Sequence, residues 1–142
     1  MKTFLLSLAA ALVSFVAAAQ VPSVTVETVK GESFDTAKLL EYTLEAGRPD
    51  TITKEKLVEI KLGGATRISI NPQTMNDVTL KKIGRCHSSQ MVRDAYKMAK
   101  EFDFDCINMD LIAGLPDESF EMFSYSLDEV IKMNPENITV HS

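Results

Sequence analysis

Four polar residues stand where strand-like segments of this sequence end: Glu45, Gln73, Asp110 and His141. Arg85 follows a short helical stretch between the second and third of them. Two carboxylates with a glutamine and an arginine suit an amino-acid or ribose ligand. Carboxylates accept hydrogen bonds from an ammonium or from vicinal hydroxyls, and a guanidinium takes a carboxylate in bidentate fashion. The same positions also suit strand-end caps and surface ion pairs, and residue type and spacing leave both readings open. Asn108 and Asp110 lie two apart on one strand-like run, so they share a face while Ile107, Met109 and Leu111 take the other. An inward face carrying Asn and Asp is costly unless those groups meet a ligand or partner.

Positioning those residues requires alternating strands and helices. Glu41–Glu45 alternates as a short strand, ended by Ala46-Gly47-Arg48-Pro49. Thr53 can cap a helix carrying Leu57 and Ile60, stopped by Gly63-Gly64. Arg67–Ile70 reads as a second strand, broken at Asn71-Pro72. Asn76 caps a short helix through Ile83, and Gly84 ends it. Ser88 or Ser89 opens a longer helix with Met91, Ala95, Met98 and Phe102 on its core face. Cys106–Ile112 is a third strand. Asp117 is then expected to cap a helix with Phe120, Phe123, Leu127, Val130 and Ile131 facing inward, up to Asn134-Pro135. Asn137–His141 is a fourth strand. Successive βα units of this kind build a parallel sheet with helices outside, and ligands of such folds bind beyond the carboxyl ends of the strands.

The first nineteen residues differ from the rest. Met1–Ala19 holds one charge, Lys2, then an apolar core of about a dozen residues and the small-residue exit Ala17-Ala18-Ala19. It reads as a secretory signal peptide, and it is shorter than the roughly twenty apolar residues that span a bilayer. Residues 20–40 form a short segment with an alternating strand, Val24–Val29, and a turn at Lys30–Ser33. The run V-P-S-V-T-V-E-T-V-K-G-E-S-F-D-T-A-K-L-L resembles the start of an exported thioredoxin-like protein, although no Cys-x-x-Cys follows it.

Composition narrows the classes further. The chain has 142 residues, 45% hydrophobic and 25% charged, with a net charge of −5 and no Lys/Arg block. That balance argues against a broad nucleic-acid-binding surface. Two cysteines, Cys86 and Cys106, form at most one disulfide and cannot hold a zinc knuckle or an iron–sulfur cluster by themselves. Cys106 reads as packing. His87 and His141 lack carboxylate or thiol neighbours at ligand spacing, so they read as core or surface histidines.

Several segments in a fixed order carry a more specific resemblance. They are E-Y-T-L-E-A-G-R-P-D-T-I-T, R-I-S-I-N-P-Q-T-M-N-D-V-T-L-K-K-I-G-R-C-H-S, I-N-M-D-L-I-A-G-L-P-D-E-S and N-P-E-N-I-T-V-H-S. Across residues 41–142 the chain resembles the oxygen-independent coproporphyrinogen III dehydrogenases of the radical S-adenosylmethionine (SAM) family. The resemblance implies an α/β fold: a partial (β/α) barrel of about four parallel strands with outer helices. It implies SAM and a [4Fe–4S] cluster as cofactors. The reaction it implies is oxidative loss of carbon dioxide from two propionates of coproporphyrinogen III, begun by a 5′-deoxyadenosyl radical, on the route to haem. Position by position, Glu45, Gln73, Arg85 and Asp110 match family residues that hold SAM.

The departures bear on activity. The family's C-x-x-x-C-x-x-C cluster loop is missing, as are its glycine-rich segment and its last strands. Without a cluster no electron reaches SAM, so the isolated chain is expected to be inactive. An exported, non-catalytic binding module, or a thioredoxin-like chimera, is the alternative. The signal-like start implies export, whereas the family resemblance implies the cytoplasm. Half a barrel leaves open edges, so marginal stability or self-association through the exposed edge is expected, with Ile68, Ile70, Asn108 and Asp110 partly exposed.

Overall fold

The computed structural model describes Thr25–Glu27, Ser33–Asp35 and residues 40–142. The export-signal reading of Met1–Ala19 lies outside these residues. Strands β1 (Thr25–Glu27) and β2 (Ser33–Asp35) pair antiparallel as a small separate hairpin. The main sheet comprises β3 (Thr43–Gly47), β4 (Arg67–Gln73), β5 (Cys106–Ile112) and β6 (Asn137–His141), all parallel and in sequential order. Helices α1 (Lys54–Leu62), α2 (Asp77–Lys82), α3 (Ser89–Lys100) and α4 (Phe120–Met133) fill the crossovers. Among the described residues the sheet does not close. It is a partial barrel of four parallel strands with helices on one face, as the alternating pattern requires. No helix of the described residues is long and apolar enough to cross a membrane.

Period-two alternation assigns the faces. Leu44, Ile68, Ile70, Ile107, Met109, Leu111 and Ile138 point toward the helices, where they meet Leu57, Val92, Ala95, Ala99 and Val130. Ile68 and Ile70 are fully buried, and Asn108 and Asp110 are 4% and 9% exposed. This corrects the expectation that an open sheet would expose all four. The isoleucines face the helix layer, and the two polar residues are enclosed by polar neighbours on adjoining strands.

Local chemistry moves several element ends from their expected places. β3 starts at Thr43, not Glu41, and runs on to Gly47, where a register break and φ of 76° let the strand turn out. β4 continues through Pro72 to Gln73 instead of stopping at Ile70. The ladder slips between Ile70 and Gln73, so Pro72 is not asked for the N–H it lacks. Ser119, not Asp117, caps α4, accepting from the Met122 N–H. Asp117 adopts φ of 57° and pairs with Lys82 of α2. The buried stripe of α4 centres on Ser126 and Val130, which places Phe120 and Ile131 on one flank and exposed. In α3 the buried face is Val92, Ala95, Tyr96 and Ala99, and Met91 is exposed.

Candidate functional site

The unhelical face of the sheet is polar in every strand. Pairing places Glu45 beside Ser69, Ser69 beside Asn108 and Asn108 beside Asn137, while Asp110 stands beside Thr139. A continuous set of hydrogen bonds crosses all four strands. Asn71 Nδ2 donates to Glu45 Oε2 at 3.2 Å. The Ser69 hydroxyl lies 3.2 Å from both Asn71 Oδ1 and Asp110 Oδ2. Asn108 Nδ2 donates to Ser69 Oγ at 2.9 Å and to Asp110 Oδ1 at 2.5 Å. From β6, Asn137 Nδ2 and Thr139 Oγ1 donate to Asn108 Oδ1 at 2.6 and 2.9 Å. The cost of burying Asn108 and Asp110 is therefore met largely inside the protein, not only by a ligand.

Glu45 and Asp110 flank β4, Asp110 standing two residues further toward the carboxyl end than the Glu45–Ser69–Asn108 row, with Glu45 exposed and Asp110 buried. Gln73 closes β4 at its carboxyl end. Its φ is 68°, it is 8% exposed, and its Oε1 is buried without a hydrogen-bond partner. Both neighbours of Gln73 are tied down. The Pro72 carbonyl meets His87 Nε2 at 3.1 Å, and because a carbonyl only accepts, that nitrogen carries the hydrogen. Thr74 Oγ1 donates to Glu118 Oε1 at 2.8 Å and lies 2.9 Å from the hydroxyl of Ser126, which also accepts from the Met75 N–H. These ties hold a non-glycine residue in the left-handed region, a conformation that costs roughly 1–2 kcal/mol.

Arg85 lies in the loop between α2 and α3, two residues before the buried His87, and is half-buried. Its backbone N–H bonds to the Leu80 carbonyl at 2.9 Å, and no hydrogen bond or ion pair joins its side chain to Glu45, Gln73 or Asp110. The structure thus links Glu45 with Asp110, sets Gln73 at the same exit, and leaves Arg85 apart from them. His141 is exposed at the end of β6, where its carbonyl accepts from the Ala113 N–H. Ser69, Asn71, Asn137 and Thr139 escape a reading that looks only at strand ends. Their signal is the polar residue at every second position of R-I-S-I-N and N-I-T.

An exit lined by two carboxylates and an unpartnered amide oxygen suits a ligand rich in N–H and O–H donors, as SAM is. A [4Fe–4S] cluster is a different matter. Its irons need cysteine thiolates, and the sequence holds two cysteines. Cys86 is exposed before α3, whereas Cys106 is half-buried at the start of β5. Burial pushes the Cys106 thiol up, with nearby Arg67 opposing that and Glu136, Glu41 and Asp105 adding to it. No group of three or more His, Cys, Asp or Glu able to hold a metal occurs among the described residues. These residues do not fit the cluster.

A partial parallel barrel with a polar inner face and a ligand-ready strand exit defines a class, and comparison with known proteins defines the family. Residues 24–130 match the radical SAM superfamily, a span that begins ahead of β1. The chain is 46% identical over 108 residues to the oxygen-independent coproporphyrinogen-III oxidase-like protein HemZ of Bacillus subtilis, covering 76% of this chain and 22% of that protein. It is 35% identical over 104 residues to the heme chaperone HemW of Bacillus subtilis, covering 73% of this chain and 27% of the relative. The solved structure of coproporphyrinogen III oxidase (HemN) from Escherichia coli superposes with a TM-score of 0.66 at 24% identity, over 80% of this chain and 26% of that one. The methyltransferase TsrM from Kitasatospora setae, solved with tryptophan and a SAM analogue bound, gives 0.60 at 12% identity, over 70% of this chain and 20% of that one. The chain belongs to the radical SAM superfamily, whose cofactors are SAM and a [4Fe–4S] cluster. It spans about a quarter of the length of these relatives.

Proposed function

We propose that residues 41–142 form the SAM-holding portion of a radical SAM oxidoreductase acting on coproporphyrinogen III. One observation carries this: Glu45 and Asp110, on strands either side of β4, are joined through Asn71 and Ser69 into one acceptor surface at the strand exits. The unpartnered Oε1 of Gln73 adds a third acceptor at that exit. In this proposal the carboxylates take the ammonium and ribose hydroxyls of SAM, and Arg85 reaches its carboxylate. SAM supplies radical chemistry when a cluster stands beside it. Two cysteines do not make that cluster, so the chain by itself binds SAM and does not decarboxylate a porphyrinogen.

Titrating SAM into the purified chain, wild type against Asp110→Ala, tests the proposal. Saturable binding weakened by the substitution is the expected result. No binding by a folded chain would refute it. Anaerobic treatment with iron and sulfide is expected to give no [4Fe–4S] charge-transfer band.

The similarity to HemW favours a second reading, in which the chain handles haem rather than a porphyrinogen. A haem titration that produced a saturable Soret shift, with no response to SAM, would favour it. Two further properties belong to the proposal. The composition of Met1–Ala19 supports export. The open edges of β3 and β6 support self-association.

A further inference from the structure

Asn108 makes four side-chain hydrogen bonds. Its Nδ2 donates to Ser69 and Asp110, and its Oδ1 accepts from Asn137 and Thr139. A primary amide has two N–H donors and two oxygen lone pairs, so this one is filled and has nothing left for a ligand. It is 4% exposed, and its partners hold its orientation, since the Asp110 carboxylate accepts while Thr139 donates. Asn108 meets Asp110 on one side and Asn137 and Thr139 of β6 on the other.

We infer that Asn108 is a positioning residue that fixes the Asp110 carboxylate for its ligand and transmits the placement of β6 to it, which rests on the SAM-holding role proposed above. Asp110 Oδ1 is anchored by the amide, while Oδ2 depends on a Ser69 hydroxyl that has a second acceptor in Asn71. Asn108 is therefore the fixed point and Ser69 the adjustable one. Because every bond it makes is internal, Asn108 acts on a ligand only through Asp110.

Two substitutions separate the halves of this arrangement in the 142-residue chain. Asn108→Asp keeps the acceptor that β6 needs and replaces the donors facing Ser69 and Asp110 with an oxygen. Thr139→Val removes one β6 donor at constant volume and leaves the Asp110 contact in place. SAM affinity is measured by titration, and the Asp110 χ1 rotamer is read from three-bond couplings in the chain without SAM. The expected result is a single Asp110 rotamer in the wild type and averaging in Asn108→Asp. SAM affinity should fall by about 10- to 100-fold in that variant, as for loss of a hydrogen bond to a charged group, and by a few-fold in Thr139→Val. An Asn108→Asp chain with wild-type affinity and an unchanged Asp110 rotamer would overturn the inference. Should the wild type not bind SAM, the SAM-holding role fails by itself, and the rotamer comparison still decides the positioning. Should Asn108→Asp not fold, Asn108→Ser, which also removes the amide donors facing Asp110, takes its place: averaging of the Asp110 rotamer supports the inference and an unmoved rotamer overturns it.

Discussion

Ser69 and Asp110 meet on the diagonal of the β4–β5 ladder, hydroxyl to carboxylate at 3.2 Å. The same hydroxyl is 3.2 Å from Asn71 Oδ1, and Asn71 in turn holds Glu45. A hydroxyl has one hydrogen, so Ser69 serves one acceptor at a time. The two carboxylates of the exit are thereby coupled through a proton with two places to go.

Ser69→Ala removes that coupling. It leaves one N–H of the Asn108 amide unpaired in a buried setting, which costs about 1–3 kcal/mol. Urea unfolding should show that loss as a lower midpoint with an unchanged slope. In SAM titrations, the Glu45→Gln and Asp110→Asn effects should be non-additive in the wild type and additive in Ser69→Ala. Additivity in both backgrounds would show that Ser69 carries no coupling.

Gln73 trades stability for its place at the exit. Its φ of 68° is one that glycine adopts freely and that costs a side-chain-bearing residue roughly 1 kcal/mol. Gln73→Gly should therefore be more stable than Gln73→Ala by about 1 kcal/mol in denaturant unfolding, while both lose SAM affinity to the same extent. Equal stabilities would mean that the ties at Pro72 and Thr74 do not impose the strain.

Glu136 makes the fold sensitive to acid. Its carboxylate accepts from the Ile107 N–H at 3.0 Å and pairs with Lys100, pinning the start of β5 to α3. Burial opposes its charge, but Lys100 and the backbone N–H outweigh burial and hold the carboxyl below the ordinary value of 4.5. Its contribution is complete above that value and is lost as the pH falls through the lowered one. Discounted for partial exposure, Glu136→Gln should cost about 1 kcal/mol at pH 7 and flatten the acid limb of the stability profile. A parallel acid limb in the variant would assign the sensitivity to another group.

The sheet and the strand exits were legible because burial on one face writes itself as alternation. I-N-M-D-L names its two faces outright, and Glu45 and Asp110 follow from it. What alternation missed has physical causes. Pro72 reads as a strand end, yet a slip in the ladder carries β4 past it to Gln73. Asp117 is as good a cap as Ser119 by residue type, but its φ of 57° takes it out of the extended conformation that a cap holds and that Ser119 keeps. The buried place of His87 depends on the Pro72 carbonyl fifteen residues away, which no local pattern encodes. Arg85 enters the candidate site through family resemblance alone, since no contact of its side chain ties it to the other three residues.

The N-terminal nineteen residues offer a test independent of the fold. Fusing residues 1–40 ahead of a reporter that is active only after export should give activity, and replacing Leu8 and Leu12 with arginine should abolish it, because charge in the apolar core blocks signal function. Activity that survives both replacements would rule out an export signal in Met1–Ala19.

Sheet order makes β3 and β6 the strands with one neighbour each among the described residues, and a β-strand with a free side is a template for another chain. β6 is the more exposed of the two, with Val140 48% exposed and no charged residue from Asn137 to Val140 to discourage pairing. Sedimentation should therefore report association that grows with protein concentration. Val140→Lys puts a charge on that strand without touching the Asn137 and Thr139 side chains that hold Asn108, so it should shift the distribution toward monomer and leave SAM affinity unchanged. If Val140→Lys associates as strongly as the wild type, the β6 edge is not the contact. If both are monomeric at all concentrations, neither edge is used.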